Sequence, residues 1–247
     1  MTHAEIYDYI NTLAPFSTQL DFDNAGFLIG DKNDTFLGGI VALDVTDSTI
    51  DYALSKGANL IVSHHPIIFE PLKSITANDL VYKLIKNGIS VISAHTNLDM
   101  AEGGVNDELC NLLQLQDVKG ILPEGEVFGA RLGRLNTPIS ADDFAAFLKE
   151  KLGGNIKYVG EGDIKTVAVC SGSGGSLLYD LISYNPDAFV TADIKHNVFL
   201  DASHLKLALY DCGHFNTEDI IVKPICKKLN ARFGYFYEHH GKEIKTL

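Results

Sequence analysis

The chain is 247 residues long, 46% apolar and 21% charged, with a formal charge of −12 at neutral pH. That length supports one large or two small domains with a full hydrophobic core. An acidic balance with no basic stripe argues against a nucleic-acid or anionic-membrane partner, because nothing replaces the counterions of a phosphate surface.

The N-terminal stretch MTHAEIYDYINTLAPF carries acidic and polar residues throughout, unlike a signal peptide. No apolar run approaches the roughly 20 residues that span a bilayer. The cysteines, Cys110, Cys170, Cys212 and Cys226, show no C-x-x-C spacing. In a chain of this size they read as reduced thiols, which points to a cytoplasmic protein.

In chain order, DFDNAG (21–26) reads as an ordered turn whose acids could reach a site, and GGIVALDV (38–45) as a strand with Asp44 near its end. A helix follows over 46–57, then a strand over 58–63 (ANLIVS), a helix over 77–88 and a strand over 89–94 (ISVISA). A further helix covers 104–115. The stretch 117–139 breaks this rhythm with glycines, a proline and charges, and reads as a joint between two lobes, 1–120 and 126–247. Beyond it come a helix over 140–154, opened by Ser140 as N-cap, and strands over 166–170, 187–192 and 205–211. Continuous apolar runs suit strands covered on both faces, and strands alternating with helices predict an α/β fold with a mainly parallel sheet.

Polar clusters stand at the C-terminal ends of four of these strands: His64-His65-Pro66, His95-Thr96-Asn97-Leu98-Asp99, Asp193-Ile194-Lys195-His196 and Cys212-Gly213-His214-Phe215-Asn216-Thr217-Glu218. Ligands of open α/β sheets bind outside the carboxyl ends of the strands. Adjacent residues leaving a strand point to different sides, so His64 and His65 can serve two neighbouring ions; read alone, they fit surface histidines in a turn as well. His214 and Glu218, four apart, share one face if the segment is helical. His95 and Asp99 are also four apart, but the TNL between them reads as loop. Asp99 offers a hard oxygen, and His95 is open to roles as ligand, as a partner that orients a ligand, or as proton shuttle. Imidazole plus carboxylate without thiolate suits Zn, Mn, Fe or Ni. Cys212 reads as a core thiol. The glycine-rich turn 171–176 (SGSGGS) fits either an anion cradle or close packing, and His239-His240 a surface pair.

The segments FDNAGFLIG (22–30), ALDVT (42–46), LIVSHHPIIF (60–69), AHTNLDMAEGGVND (94–107), GARLGRL (129–135), VAVCSGSGGSLL (167–178), VTADIKHN (190–197) and DCGHFNTE (211–218) together resemble the NIF-three-like family. Its bacterial members are often labelled GTP cyclohydrolase 1 type 2 homologues. The resemblance runs nearly end to end in the family's order. It implies two similar α/β lobes with a dinuclear metal site in the cleft between them. The ligands it implies are His64, His65, Asp99, His214 and Glu218, with Glu218 bridging two divalent ions. It further implies a homohexameric ring and a metal-dependent hydrolase acting on a nucleotide or related small molecule, with His95 as candidate proton shuttle. A non-catalytic metal-binding scaffold or regulator is the alternative. Phe22 stands where many members have tryptophan, and Cys212 and Asn216 also depart from the usual residues. The domain that longer relatives insert before GARLGRL does not fit in a chain of this length.

Overall fold

The apolar runs are buried along their whole length: every residue of Gly39–Ala42, Leu60–Ser63, Ser90–Ser93 and Ala188–Thr191 is shielded from solvent. Strands of this kind require cover on both faces, which the intervening helices supply. The structure, a computed structural model, describes residues 1–241 and Ile244. It divides into two units, Met1–Glu102 together with the segment that begins at Ile221, and Gly103–Ile220.

The first unit contains α1 (His3–Leu13), β1 (Gly26–Ile29), β2 (Gly39–Ala42), α2 (Asp47–Lys56), β3 (Leu60–Ser63), α3 (Leu80–Lys86), β4 (Ser90–Ser93) and α4 (Thr96–Met100). The second holds α5 (Val105–Leu112), β5 (Gln116–Glu124), β6 (Val127–Ser140), α6 (Ala141–Leu152), β7 (Lys157–Val159), β8 (Asp163–Val169), α7 (Leu178–Leu181), β9 (Ala188–Thr191), α8 (His196–His204), β10 (Ala208–Asp211) and α9 (His214–Glu218). The chain then returns to the first unit with α10 (Val222–Phe233) and β11 (Phe236–His239).

Local chemistry fixes these boundaries. Thr46 accepts the Thr49 N–H at the start of α2, and Gly57 ends the helix in the left-handed region at φ 62°. Ser140 accepts the Asp143 N–H at 3.1 Å, the N-cap expected for α6. The first sheet runs β1-β4-β3-β2-β11, parallel except for β1. Its side chains Ile40, Ile61 and Val91 meet Ile50 and Ala53 of α2 and Leu84 of α3 in one core. The second sheet runs β5-β6-β8-β9-β10-β7, with β8, β9 and β10 parallel and the flanking pairs antiparallel.

Three expectations change. The stretch 117–139 is no joint: β5 and β6 form an antiparallel hairpin that extends the second sheet. Two of its glycines serve packing: a Cβ on Gly133 would stand 2.8 Å from the Leu115 Cβ, and one on Gly120 would meet the Phe128 ring. The division of 1–120 from 126–247 is replaced by a boundary at Glu102/Gly103, and the last helix and strand belong to the first unit. The first sheet is mainly parallel, as expected, with β1 alone antiparallel, whereas the second is mixed because β5, β6 and β7 pair antiparallel. Among the described residues, no helix is long and apolar enough to cross a membrane. Among the described residues, none of the four cysteines is in a disulfide.

Candidate metal centre

Strand register puts the first group of polar residues on one edge. Ala42, Ser63 and Ser93 stand level across β2, β3 and β4, so Asp44, His64, His65 and His95 leave neighbouring strands at the same end. The ladder continues a step past the strands: the N–H groups of His64 and His65 donate to Ala42 and Leu43, and that of Ala94 to Ser63. The imidazoles of His64, His65 and His95 gather here, each offering a nitrogen within 4.8 Å of the others.

His95 begins α4. The TNL segment, read as loop, is helical because Asp23 reaches its N-terminus: the carboxylate accepts the Thr96 N–H at 3.0 Å and the Thr96 hydroxyl at 2.5 Å. Burial works against the charged Asp23, yet the bonds from His95 and Thr96 prevail and hold its carboxyl down at about 2. The helix carries Asp99 round so that its Oδ1 lies 3.4 Å from His64 Nε2. His64 itself is 2% exposed. It backs onto an apolar pocket lined by Ile10, Val41, Val62, Leu98 and Ile225.

In the second unit, the register Thr191–Asp211 brings Asp193 and His214 off one edge of β9 and β10. His214 and Glu218 occupy one face of α9 as expected, with His214 Nε2 2.8 Å from Glu218 Oε2. Glu218 is 3% exposed. Burial alone would lower the His214 pKa, but Glu218 and Asp193 outweigh it and raise the imidazole to about 9. A proton there neutralises part of a carboxylate-rich pocket, which is the electrostatic demand that a cation also meets.

The glycine-rich turn presses against this pair. Gly172 has φ 57°, and a Cβ on it would come within 2.0 Å of Glu218 Oε1. Its N–H donates to Thr217 Oγ1, the Ser171 N–H to Asn106 Oδ1 and the Gly174 N–H to Thr191 Oγ1. Those three donors are engaged within the unit, and the close approaches of Gly172 to Glu218 and Gly174 to Thr191 fit the packing reading of the turn. Asn106 sits beside Asp107, which pairs with the Arg131 guanidinium of GARLGRL. The helix α5 thereby fastens the turn and β6 together.

A single pattern unites the histidines. His64 Nδ1 donates to the Ala94 carbonyl at 2.8 Å, His65 Nδ1 to Asp44 at 2.7 Å, His95 Nδ1 to Asp23 at 2.8 Å and His214 Nδ1 to Asp193 at 2.6 Å. An acceptor on Nδ1 orients each ring and makes Nε2 the nitrogen it would offer a metal, as the partners of metal-ligating histidines do; on His214 the ion would displace the proton that Glu218 and Asp193 favour. The donor sets therefore fit divalent transition-metal ions.

The sequence profile of the family described as Duf34/NIF3 (NGG1p interacting factor 3) matches residues 1–243. The chain belongs to the Duf34/NIF3 family. A Clostridium acetobutylicum relative named GTP cyclohydrolase 1 type 2 homolog is 34% identical over 239 residues, covering 92% of this chain and 89% of its own. The crystal structure of a Staphylococcus aureus hypothetical protein superposes with a TM-score of 0.93 at 27% identity, covering 100% of this chain and 99% of that one. A Bacillus cereus protein related to NIF3 shares the fold, with a TM-score of 0.87 at 23% identity over 100% of this chain and 98% of its own.

Within this Duf34/NIF3 chain, the sequence-derived residues fall into two sets, each inside one unit: His64, His65, His95 and Asp99 in the first, His214 and Glu218 in the second. The DIKH cluster supplies Asp193, while Lys195 and His196 are exposed. Cys212 is a core thiol, and burial pushes its pKa up. His239 is not simply a surface residue: it lies on β11 and stacks on Tyr52 at 5.1 Å, whereas His240 is exposed. The acids that orient the imidazoles, Asp23, Asp44 and Asp193, stand among the polar residues that the sequence places near strand ends, without an orienting role assigned to them. Asp23 and Asp44 carried a signal, being acids close to strand ends; Asn106 and Thr217 carried none.

Proposed function

We propose that the protein is a metal-dependent hydrolase acting on a nucleotide or related small molecule. His64, His65 and Asp99 of the first unit and His214 and Glu218 of the second are the residues that would hold divalent ions (two of Zn, Mn, Fe or Ni), with Glu218 as the carboxylate that would be shared. The carrying observation is the shared Nδ1 anchoring of the histidines, which makes Nε2 the nitrogen each ring would offer a metal. The N/O donor set supports borderline transition metals over a structural thiolate site.

Bound there, such ions would supply Lewis-acid activation of water and a clamp on the reacting oxygen. The chain's own residues set the geometry. Asp44, Asp193 and the Ala94 carbonyl hold ring orientation, and the backbone of Gly172 limits where Glu218 can sit. His95, anchored by Asp23, keeps Nε2 for proton exchange with substrate. The relatives' name points to opening of a purine ring by water, and the site chemistry equally serves a phosphoester. The protein acts in the cytoplasm as a homohexamer.

The test is turnover with added Mn, Zn or Fe across a nucleotide and phosphoester panel, comparing the native chain with Glu218→Ala. Metal-dependent turnover that the substitution abolishes is the expected result. Stoichiometric metal without turnover on any substrate would assign the protein to the alternative class, a metal-binding scaffold. Light scattering should give a mass near six times 26.9 kDa; a monomer over a wide concentration range would remove the ring.

A further inference from the structure

Phe22 is 64% exposed and Phe69 45% exposed. Their ring centroids lie 6.4 Å apart at a tilt of 55°. Phe69 also meets His95, centroid to centroid at 6.2 Å and nearly perpendicular at 84°. The His95 ring in turn lies 5.3 Å from that of His64 and 5.6 Å from that of His65. A row of rings thus leads from solvent to the histidine cluster.

These aromatic side chains are carried on tied-down backbone. Asn24 Nδ2 donates to the Ile68 carbonyl at 2.6 Å, joining the two segments that bear them. Asp23 N–H donates to Leu20, and the Asp23 carboxylate is fixed by His95 and Thr96. Ala25 N–H donates to Gln19 Oε1 at 2.7 Å. Apolar rings held to solvent on ordered backbone are a preorganised contact surface, since little further entropy is lost when something covers them.

We infer that Phe22 and Phe69 form a stacking subsite for the planar heteroaromatic ring of the substrate, such as a nucleobase, and set it beside His95. Stacking tolerates any base, because each presents a π-face to an aromatic side chain. The residues adjoining them in sequence, Asp21 and Glu70, are exposed and acidic. They offer acceptors to the N–H edge of a base and repel a phosphate, so the ring is the part of the substrate taken here. The subsite rests on the hydrolase reading for its substrate class but not for its geometry.

The chain has no tryptophan. Phe22→Trp therefore places a sole indole fluorophore at the subsite and keeps a stacking face. The experiment titrates this variant, chelator-treated and Mn-loaded, with guanosine and, as a ring-free control, ribose 5-phosphate. Saturable quenching by guanosine in both states, with no response to ribose 5-phosphate, is expected. Adding Phe69→Ala should raise the apparent Kd for guanosine about ten-fold or more, with circular dichroism unchanged. Absence of saturable quenching, or an unchanged Kd after Phe69→Ala, overturns the subsite. So does a fall in particle mass on Phe22→Ala with Phe69→Ala when nucleosides give no response, which would assign the pair to a contact between copies. Manganese stoichiometry on the same samples separates the two ideas. Full manganese uptake without guanosine binding removes the subsite alone, and guanosine binding by a protein that takes up no manganese on loading removes the hydrolase reading alone.

Discussion

At the scale of single residues, the site depends on neighbours that touch no ligand. Gly172 is the sharpest case. Its positive φ disfavours any side chain, and a Cβ would collide with Glu218 at 2.0 Å. Gly172→Ala should destabilise the fold by about 2–4 kcal/mol, from strain at φ plus overpacking, and should displace Glu218. Urea denaturation reads the first effect and metal titration the second. Asp193 is exposed and bears little on stability, but it anchors His214 Nδ1 at 2.6 Å. Asp193→Ala should therefore leave the melting temperature nearly unchanged while weakening metal affinity on the order of 10–100-fold in a chelator competition. A drop in stability without loss of affinity would show that Asp193 plays no orienting part.

At the scale of elements, α9 shows how much tertiary support a short helix needs. Its residues His214–Glu218 are too few to hold a helix alone. Thr217 Oγ1 supports it by accepting the Gly172 N–H at 3.1 Å and donating to the His214 carbonyl at 2.9 Å. Thr217→Val keeps the shape but orphans a buried N–H, and should cost about 1–3 kcal/mol in urea denaturation. The strand bodies were legible in the sequence because β2, β3, β4, β9 and β10 are continuous apolar runs. The β5–β6 hairpin was not, since its glycines and charges imitate a linker and its burial is irregular along both strands. Helix α4 escaped notice because Asp23, far away in sequence, organises its first turn. The metal-ligand types could be read from strand-end clusters, whereas their orienting partners depend on long-range pairing such as His65 with Asp44 and His95 with Asp23.

At the scale of the whole molecule, two units of different sheet order each contribute a set of imidazole and carboxylate donors held by fixed acceptors. Core thiols mark how tightly each unit is packed. Burial pushes Cys110 up to about 12 and Cys226 up to about 11. Alkylation of the native protein at neutral pH should therefore spare Cys110, Cys212 and Cys226 until denaturant is added, as mass spectrometry can establish. The proposed function requires that the two donor sets serve a shared pair of ions through Glu218. A carboxylate can link two metals, while an imidazole nitrogen binds one. The most direct measurement is metal stoichiometry of Glu218→Ala, His64→Ala, His65→Ala and Asp99→Ala under identical loading, each confirmed folded by circular dichroism. Loss of both ions from Glu218→Ala, with loss of mainly one ion from each of the others, is the predicted result. Two tightly bound ions retained by Glu218→Ala, with both lost from His64→Ala or His65→Ala, would contradict it.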